Sequence, residues 1–319
     1  MATFAPMPAR TVADAQRLID LLLADPAVAG RLHAPQPRLR HDSGALMVYG
    51  TWTADPGDSP EAGIPAIAKV GTPRNEVEWM RDLFRVDPGL VPALYASGLT
   101  RGDEPLAWMV SERCPYTLGW QWQGAGYGML MEAGVRFYLA SRQIRPRVGP
   151  SDVNSTRYFQ GIRTALTADV PPPVGAEALI SRFDEDWAWV LARCTVELCH
   201  GDLHPGNAVA RRAPPHPEAR ALLIDFAPGA LPWVYEPAYC SIVWWFTPTP
   251  NGEPTLVHAM AAIRERYGLA VPSPDDLGRM ATLLFGWHAL RFWHHASHRN
   301  HHPKYEAAAR RFVADAAAL

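Results

Sequence analysis

The sequence predicts an α+β fold in which a small β-rich lobe is followed by a larger, mostly helical lobe. Short apolar runs separated by turn residues fill the first third of the chain. Longer stretches with apolar residues at helical spacing fill most of the remainder, and no internal repeat interrupts this order. We therefore predict two lobes, spanning residues 1–113 and 114–319.

The elements of the first lobe follow the order β-β-β-α-β-β after a leading amphipathic helix. The hairpin is "PRLRHDSGALMVYGTW", with its turn at Asp42-Ser43-Gly44, and "IPAIAKV" is a third strand. A helix, "RNEVEWMRDLF", precedes the strands "LVPALYASGL" and "LAWMVSERC". Pro, Gly and Asp crowd residues 53–63, which predicts a solvated loop.

The second lobe is predicted to be mostly helical. Its helices are "MLMEAGVRFYLASRQI", "EALISRFDEDWAWVLARCTV", "PDDLGRMATLLFGWHALRFWHHASH" and "KYEAAARRFVADAAAL". A Pro-rich break, "DVPPPVG", separates the first two, and short strands lie between the second and the third.

The composition is that of an ordinary globular protein. Of the 319 residues, 48% are apolar and 19% are charged, and no apolar run reaches the roughly 18 residues of a membrane span. The net charge of −2 comes without the clustered Lys and Arg that nucleic acid requires. The four cysteines lack CxxC spacing, which favours reduced thiols. We predict a cytoplasmic protein without nucleic-acid or membrane partners, and the sequence leaves its oligomeric state open.

The stretch "ELCHGDLHPGNAVA", residues 197–210, carries the strongest chemical signal. Asp202 and Asn207 stand five residues apart with a Pro-Gly turn between them, and Asp225 ends the apolar run "ALLI". Amide and carboxylate oxygens suit Mg²⁺, so Asn207 and Asp225 are candidate ligands and Asp202 is the candidate catalytic base. The alternative is that Asp202, His204 and Asn207 only hydrogen-bond their own turn.

Lys69 lies in the apolar strand "IPAIAKV", where its ammonium needs an anion. Glu76 falls on the apolar face of the following helix and Glu78 points away, so Glu76 is the expected partner of Lys69. Ser43 in the hairpin turn is a weaker candidate for phosphate contact, because no G-x-G-x-x-G loop is present. The backbone of Glu112 and Cys114 is the candidate contact for a nucleotide base.

The motifs "HGDLHPGN" and "IDF" resemble the aminoglycoside phosphotransferase and choline kinase-like family. The resemblance implies a protein-kinase-like two-lobed fold and phosphorylation of a small-molecule hydroxyl with ATP or GTP and Mg²⁺. It implies a nucleotide-binding lobe over 1–113 and a catalytic, acceptor-binding lobe over 114–319. By the same resemblance Asp202 is the base, Asn207 and Asp225 are metal ligands, and Lys69 anchors phosphate.

The chain departs from the family pattern G-D-P-x-x-D-L after "IDF". It reads "YEPAYCSIV", with Tyr235 in place of Gly, Glu236 in place of the first Asp and Cys240 in place of the second. In the family these positions mainly brace the activation-segment region, so the departure bears on local structure and leaves the metal site intact. The run "IDFAPGALPWVYEP" is also Pro-rich and aromatic, which indicates a reshaped acceptor pocket.

Aromatic residues, rather than the dense carboxylates that polycationic aminoglycosides need, mark the predicted acceptor region. We therefore predict an acceptor of a nucleoside-type or other non-aminoglycoside class. The Ala-, Arg- and Pro-rich composition is typical of GC-rich bacterial genomes, where such enzymes often inactivate antibiotics, so an antibiotic is the predicted acceptor. The candidate contacts are His204, Trp233, Tyr235, Glu236 and Tyr239. Two alternatives are a metabolic kinase for a sugar, amino alcohol or amino acid, and a catalytically silent kinase-like binding protein. The His-rich segment 294–302 has no assigned role, and a zinc site there lacks an H-E-x-x-H pattern.

Overall fold

The computed structural model describes residues 12–38, 45–101, 105–117, 125–145, 147–163, 166, 171–213, 216–243, 256–293 and 303–319. The chain forms two compact units. The first comprises Met1–Thr117 and Val209–Phe226, and the second comprises Leu118–Ala208 and Ala227–Leu319. The segment 209–226 therefore packs with the first unit, although it follows much of the second unit in the sequence.

The described strands and helices are numbered in chain order. The strands are β1 (Leu32–Arg38), β2 (Leu46–Trp52), β3 (Ile64–Thr72), β4 (Leu94–Leu99), β5 (Ala107–Glu112), β6 (Tyr116–Thr117), β7 (Val196–Cys199), β8 (Ala208–Ala210), β9 (Leu222–Leu223) and β10 (Gly229–Pro232). The helices are α1 (Val12–Leu23), α2 (Arg74–Val86), α3 (Ala125–Ile144), α4 (Ser155–Arg163), α5 (Ala176–Ser181), α6 (Phe183–Arg193), α7 (Tyr235–Val243), α8 (Leu256–Arg266), α9 (Pro274–Arg291) and α10 (Pro303–Ala317).

The first unit is built on an antiparallel sheet of five strands in the order β1-β2-β3-β5-β4. The predicted order of strands and helix is confirmed. The turn predicted between the first two strands, at 42–44, lies outside the described residues. Helix α1 packs against β1 and β2, and its buried side chains join those of the sheet in one apolar core.

Helix α2 follows β3 directly and presents one apolar face to the interior. Its buried residues are Glu76, Val77, Trp79, Met80 and Leu83. Four of the five are apolar, and the spacing is that of one helical face. Glu76 is thus carried into the interior of the unit by the same periodicity that buries the apolar side chains.

The second unit is mainly helical, as predicted. The predicted helix "EALISRFDEDWAWVLARCTV" forms instead as α5 and α6, which are interrupted at Arg182, and its last residue, Val196, begins β7. Aromatic rings fill much of this core, with Phe183 stacked on Trp187 and edge-on to Trp287. Among the helices that the structure describes, none is both long and apolar enough to cross a bilayer.

A buried ion-pair cluster holds β7 to helices α3 and α8. Glu197 on β7 is 2% exposed and accepts hydrogen bonds from Arg142, at 2.6 and 3.1 Å, and from Arg264, at 3.0 Å. Arg264 is fully buried, and its guanidinium also lies 4.8 Å from the centre of the Trp233 ring. One carboxylate therefore serves two cations in an environment where an unpaired charge is costly.

We expect Glu197→Ala to lower the free energy of unfolding by about 3–5 kcal/mol, because it leaves two guanidinium groups without their buried counter-charge. Urea unfolding followed by tryptophan fluorescence measures this loss. The control is Glu306→Ala, which removes a pair with Arg310 that is partly exposed on α10 and should cost about 0.3–0.5 kcal/mol. Equal losses in the two variants would contradict this account of the cluster.

Candidate functional site

The loop that carries Asp202 leaves β7 through a turn that requires glycine. Gly201 has φ of +86°, and a Cβ at this position would come within 1.8 Å of the carbonyl oxygen of Ala227. The backbone N–H of Ala227 donates to the carbonyl of His200 at 3.0 Å, so the chain segments on either side are hydrogen-bonded. A side chain at position 201 would therefore push apart the two segments that define the loop.

Both carboxylate oxygens of Asp202 accept hydrogen bonds within the second unit. The Tyr239 hydroxyl donates to Oδ1 at 2.5 Å, and the Asn207 amide donates to Oδ2 at 2.8 Å. His204 Nε2 lies 3.5 Å from Oδ1. Burial raises the pKa of Asp202, but these hydrogen bonds from His204, Tyr239 and Asn207 outweigh it and lower the pKa to about 2. Asp202 is therefore ionised at neutral pH.

His204 and Asn207 brace the same loop through its backbone. His204 Nδ1 accepts from the N–H of Gly206 at 3.0 Å, and the Asn207 amide also donates to the carbonyl of Asp202 at 3.0 Å. The hydrogen bonding expected of an ordinary polar turn is therefore present. Because its amide nitrogen faces Asp202, Asn207 keeps its carbonyl oxygen outside these bonds, where a hard cation could use it.

Glu236 anchors the loop from helix α7. It is fully buried, and its carboxylate accepts from the N–H of Gly201 at 2.7 Å and from the Tyr138 hydroxyl at 2.8 Å. Burial raises the pKa of Glu236 to about 7, although hydrogen bonds from Gly201, Tyr138 and His200 oppose the shift. Glu236 thus supports the backbone beside Asp202, and its burial excludes the acceptor contact predicted for it.

Trp233 is also buried where an acceptor contact was predicted. Its side chain is 0% exposed, and its ring packs against the buried guanidinium of Arg264 in a cation–π contact. Tyr235 is 4% exposed, and its ring stacks parallel to that of Tyr239 at 6.1 Å between centres. Of the predicted aromatic contacts, Tyr239 is therefore the one with a partly exposed ring beside Asp202.

The first unit brings Lys69, Glu76 and Asp225 together. The Lys69 ammonium donates to Glu76 at 2.7 Å and to Asp225, and Thr72 donates to the second oxygen of Glu76. Burial alone would lower the pKa of Lys69, but the two carboxylates raise it above its ordinary value. Lys69 contacts Glu76, as helix phase predicts. Asp225 follows β9 and has φ of +60°, an uncommon conformation that Asp tolerates better than most residues.

The end of β5 holds the predicted base-binding residues. The Glu112 side chain accepts from Arg211 at 2.7–2.9 Å and from the N–H of Ala93 at 3.1 Å. Burial opposes the effect of these bonds, but together they lower the pKa of Glu112 below its ordinary value. Cys114 is partly buried, and burial raises the pKa of its thiol to about 12. The side chain of Glu112 is held in place by hydrogen bonds, and the thiol of Cys114 stays protonated. The backbone is therefore the part of this segment that could contact a nucleotide base.

Two further sequence candidates lie outside the described residues. They are Ser43 and the His-rich segment 294–302. In the part of the chain that is described, no group of three or more His, Cys, Asp and Glu side chains is arranged to hold a metal ion. All four cysteines are free thiols, as expected.

Sequence reasoning missed Arg211, Arg291 and the hydrogen bond between Tyr239 and Asp202. The partner of Glu112 is 99 positions away in the chain, and that of Asp202 is 37 away. Arg291 gave a local signal that was overlooked, since it is the one charged residue in the run "ATLLFGWHALRFW" near the end of α9. Its guanidinium donates to the Tyr235 hydroxyl at 2.5 Å.

A family model described as "Phosphotransferase enzyme family" matches residues 64–293 of the chain. No curated protein matches the sequence significantly.

Solved structures share the fold at low sequence identity. The amicoumacin kinase hAmiN, solved with AMP-PNP, Ca²⁺ and Ami, is 14% identical with a TM-score of 0.55, over 89% of this chain and 88% of its own. A putative aminoglycoside phosphotransferase from Ralstonia eutropha JMP134 is 11% identical with a TM-score of 0.56, over 95% and 96%. The choline kinase LicA from Streptococcus pneumoniae is 14% identical with a TM-score of 0.53, over 95% and 97%. The predicted kinase-like α+β fold is confirmed.

We expect Glu236→Gln to change the pH dependence of stability. The folded state holds a proton on Glu236 up to about pH 7, whereas the ordinary pKa is 4.5, so ionisation favours the unfolded wild type as the pH rises between these values. Gln does not titrate. The unfolding free energy of the variant minus that of the wild type should therefore rise by about 3 kcal/mol between pH 4.5 and pH 8.

Urea unfolding at a series of pH values measures this gap. Glu185→Gln, on the exposed side of α6, is the control and should show no comparable change. A gap between Glu236→Gln and wild type that stays constant with pH would contradict the assignment.

Proposed function

The chain belongs to the phosphotransferase enzyme family, and we propose that it phosphorylates a hydroxyl group of an antibiotic-type natural product. Transfer of a phosphoryl group to a small-molecule hydroxyl is the activity of the family. The nature of the acceptor, the use of ATP or GTP, and Mg²⁺ as the metal are the parts that we propose. The single observation that carries the proposal is the ionised carboxylate of Asp202, which is held from both sides by Tyr239 and Asn207.

Asp202 is proposed to orient the acceptor hydroxyl and to take its proton. A nucleophilic hydroxyl must donate its hydrogen bond to an anionic group. Asp202 is such a group, because its pKa is lowered to about 2 and its carboxylate is ionised. The hydroxyl of Tyr239 already donates to Oδ1, at 2.5 Å. This contact resembles the one that the hydroxyl of the substrate would make, so we propose that this hydroxyl donates its hydrogen bond to Oδ1.

The metal-binding residues that we propose are Asn207 and Asp225. Their donor atoms suit Mg²⁺, because an amide oxygen and a carboxylate are both hard ligands. The fit of Asn207 is supported by its amide nitrogen, which is used on Asp202 and so leaves the carbonyl oxygen available. Asp225 is partly exposed and is hydrogen-bonded to Lys69. When bound, the metal would neutralise charge on the phosphates of the nucleotide.

Nucleotide binding is proposed for residues 1–113, and catalysis and acceptor binding for 114–319. Lys69 would anchor phosphate oxygens, since its ammonium is charged and is steadied by Glu76 at 2.7 Å. The backbone near Glu112 and Cys114 would contact the base. The complex of hAmiN with AMP-PNP and Ca²⁺ supports a nucleotide with a divalent cation as the donor, on the level of a shared fold. Reduced thiols agree with the cytoplasmic location proposed for the chain.

The proposed acceptor is not an aminoglycoside. Described side chains that contact Asp202, or contact its neighbour Tyr239, are aromatic, imidazole or amide groups, namely His204, Asn207, Tyr235, His288 and Phe292. A polycationic sugar needs several carboxylates in this position to balance its ammonium groups. The chemistry around Asp202 suits a flatter and less cationic hydroxyl compound.

We expect Asp202→Asn to lower kcat by about 10²- to 10⁴-fold, because the amide cannot accept the proton of the acceptor hydroxyl. The affinity for nucleotide should stay within about twofold, since Asp202 is not among the proposed nucleotide contacts. Steady-state kinetics and equilibrium nucleotide binding measure the two effects.

The control for this variant is Asp184→Asn, which makes the same chemical change on the exposed face of α6. It should leave kcat unchanged. Wild-type turnover in Asp202→Asn would sink the catalytic assignment.

We expect an acceptor-dependent release of ADP or GDP when the chain is given ATP or GTP, Mg²⁺ and a panel of acceptors. The panel contains aminoglycosides, nucleoside and peptide antibiotics, and common sugars, amino alcohols and amino acids. Mass spectrometry should find a gain of one phosphoryl group on a non-aminoglycoside antibiotic. Phosphorylation confined to common metabolites would identify a metabolic kinase instead, and nucleotide binding without any turnover would identify a silent binding protein.

A further inference from the structure

Arg291 is a cation without a carboxylate partner in the part of the chain that the structure describes. It is the last residue of α9 and is half-buried. Its one hydrogen bond there is the 2.5 Å contact from Nη1 to the Tyr235 hydroxyl, which is neutral. A guanidinium has five N–H donors, and within the described ranges the Tyr235 hydroxyl is the acceptor that Arg291 meets.

Aromatic rings hold the guanidinium of Arg291 in place. Its central carbon lies 5.8 Å from the centre of the Tyr158 ring and 5.5 Å from that of Phe292. The stem of the side chain passes close to Gly161. Rings fix the orientation of a guanidinium and attract its charge, but they cannot neutralise it.

The surroundings of Arg291 connect it to the neighbourhood of Asp202. Tyr235 accepts from Arg291 and stacks on Tyr239, whose hydroxyl donates to Asp202. The positive charge of Arg291 is one of the influences on the pKa of Tyr239, although burial and Asp202 dominate and raise that pKa. The guanidinium and the carboxylate are therefore linked through two stacked tyrosines of one helix.

His288 is a second polar group in this cluster. It is fully buried, its Nδ1 lies 3.4 Å from the Tyr158 hydroxyl, and its Nε2 has no hydrogen-bond partner among the described residues. Its ring lies edge-on to both Tyr235, at 4.7 Å, and Tyr239, at 5.6 Å. Burial and the nearby charge of Arg291 lower the pKa of His288, so the imidazole is neutral and adds no second charge. Arg291 is thus the charged group of the cluster on the side of Tyr235.

We propose that Arg291, held by the buried Tyr235 whose ring stacks on the partly exposed Tyr239, forms a subsite for an oxyanion of the acceptor, either a carboxylate or a phosphate group. The acceptor would then be a hydroxyl compound with an aromatic or flat apolar body and one anionic group. The guanidinium offers parallel N–H donors that match two oxygens of such a group. This inference rests on the proposed function, because it assigns the subsite to the acceptor that Asp202 serves.

A purely structural role for Arg291 is the competing explanation. A cation at the end of a helix interacts favourably with the helix dipole, and its stacking on rings contributes to packing. That role predicts a loss of stability on mutation but no dependence on the charge of a ligand. The charge selectivity of binding therefore separates the two explanations.

The test measures binding of three small probes by ligand-observed NMR. The probes are benzoate, phenyl phosphate and the neutral benzamide, and the proteins are the full-length wild type, Arg291→Met, Arg291→Lys and Arg279→Met. Arg279 lies on the same helix, where it pairs with Asp186 at 3.4 Å, and its variant is the matched control. Because equilibrium binding needs no phosphoryl transfer, its outcome is separate from that of the acceptor screen.

We expect the wild type and Arg279→Met to bind at least one of the two anions about tenfold more tightly than benzamide. Arg291→Met should lose this preference, while its affinity for benzamide stays the same. Comparison of the affinities for benzoate and phenyl phosphate shows whether the subsite prefers a carboxylate or a phosphate group. Equal binding of anions and benzamide by the wild type, or an unchanged preference in Arg291→Met, would overturn the proposal.

Near-ultraviolet circular dichroism shows whether Arg291→Met folds. If Arg291→Met does not fold, Arg291→Lys becomes the variant that tests the subsite, because lysine keeps the charge and lacks the paired N–H donors. This variant should bind the preferred anion several-fold more weakly than the wild type and bind benzamide equally well. Anion binding that is unchanged in Arg291→Lys would then reject the subsite.

Discussion

The buried carboxylate of Glu236 is the interaction on which the geometry of the candidate site depends. It accepts from the N–H of Gly201 and thereby fixes a turn whose backbone no other residue type could adopt without a clash. Tyr239 lies three positions further along α7, so it projects from the same side of the helix and reaches the side chain of Asp202. One helix therefore holds both the backbone and the carboxylate of the loop, and displacement of α7 would disturb both.

The first unit shows a different electrostatic arrangement. Lys69 pairs with two carboxylates, Glu76 and Asp225, and the three groups carry a formal charge of −1 when all are ionised. Glu76 is held by both Lys69 and Thr72, whereas Asp225 is partly exposed. Asp225 is better placed than Glu76 to coordinate a metal ion, because Asp225 could leave Lys69 while the Lys69–Glu76 pair stays intact. The positive φ of Asp225 is consistent with a residue positioned for function at some conformational cost.

The sequence predicted the features that depend on local periodicity. The order of strands and helix along the first lobe, the helix phase that selects Glu76 over Glu78, and the loop that carries Asp202 all follow from patterns within a few residues. Burial of Trp233 and Glu236 could not be predicted this way, because a pattern assigns a residue to a face and does not name its distant partner. The ring of Trp233 packs on Arg264, 31 positions away, and Arg291 donates to the hydroxyl of Tyr235, which lies 56 positions earlier.

The low pKa of Asp202 bears on how the carboxylate would act. A general base works best when its pKa lies near the working pH, and a value of about 2 makes Asp202 a weak proton acceptor in the ground state. A weak base is sufficient for phosphoryl transfer through a loose transition state. In such a transition state the bond to the leaving group is largely broken before the nucleophile forms its own bond, so the hydroxyl need not be deprotonated early. The first task of Asp202 is then to orient the acceptor hydroxyl. Replacement of Tyr239 by that hydroxyl on Oδ1 would keep the number of hydrogen bonds constant, and it would place the proton where the carboxylate can accept it late in the reaction.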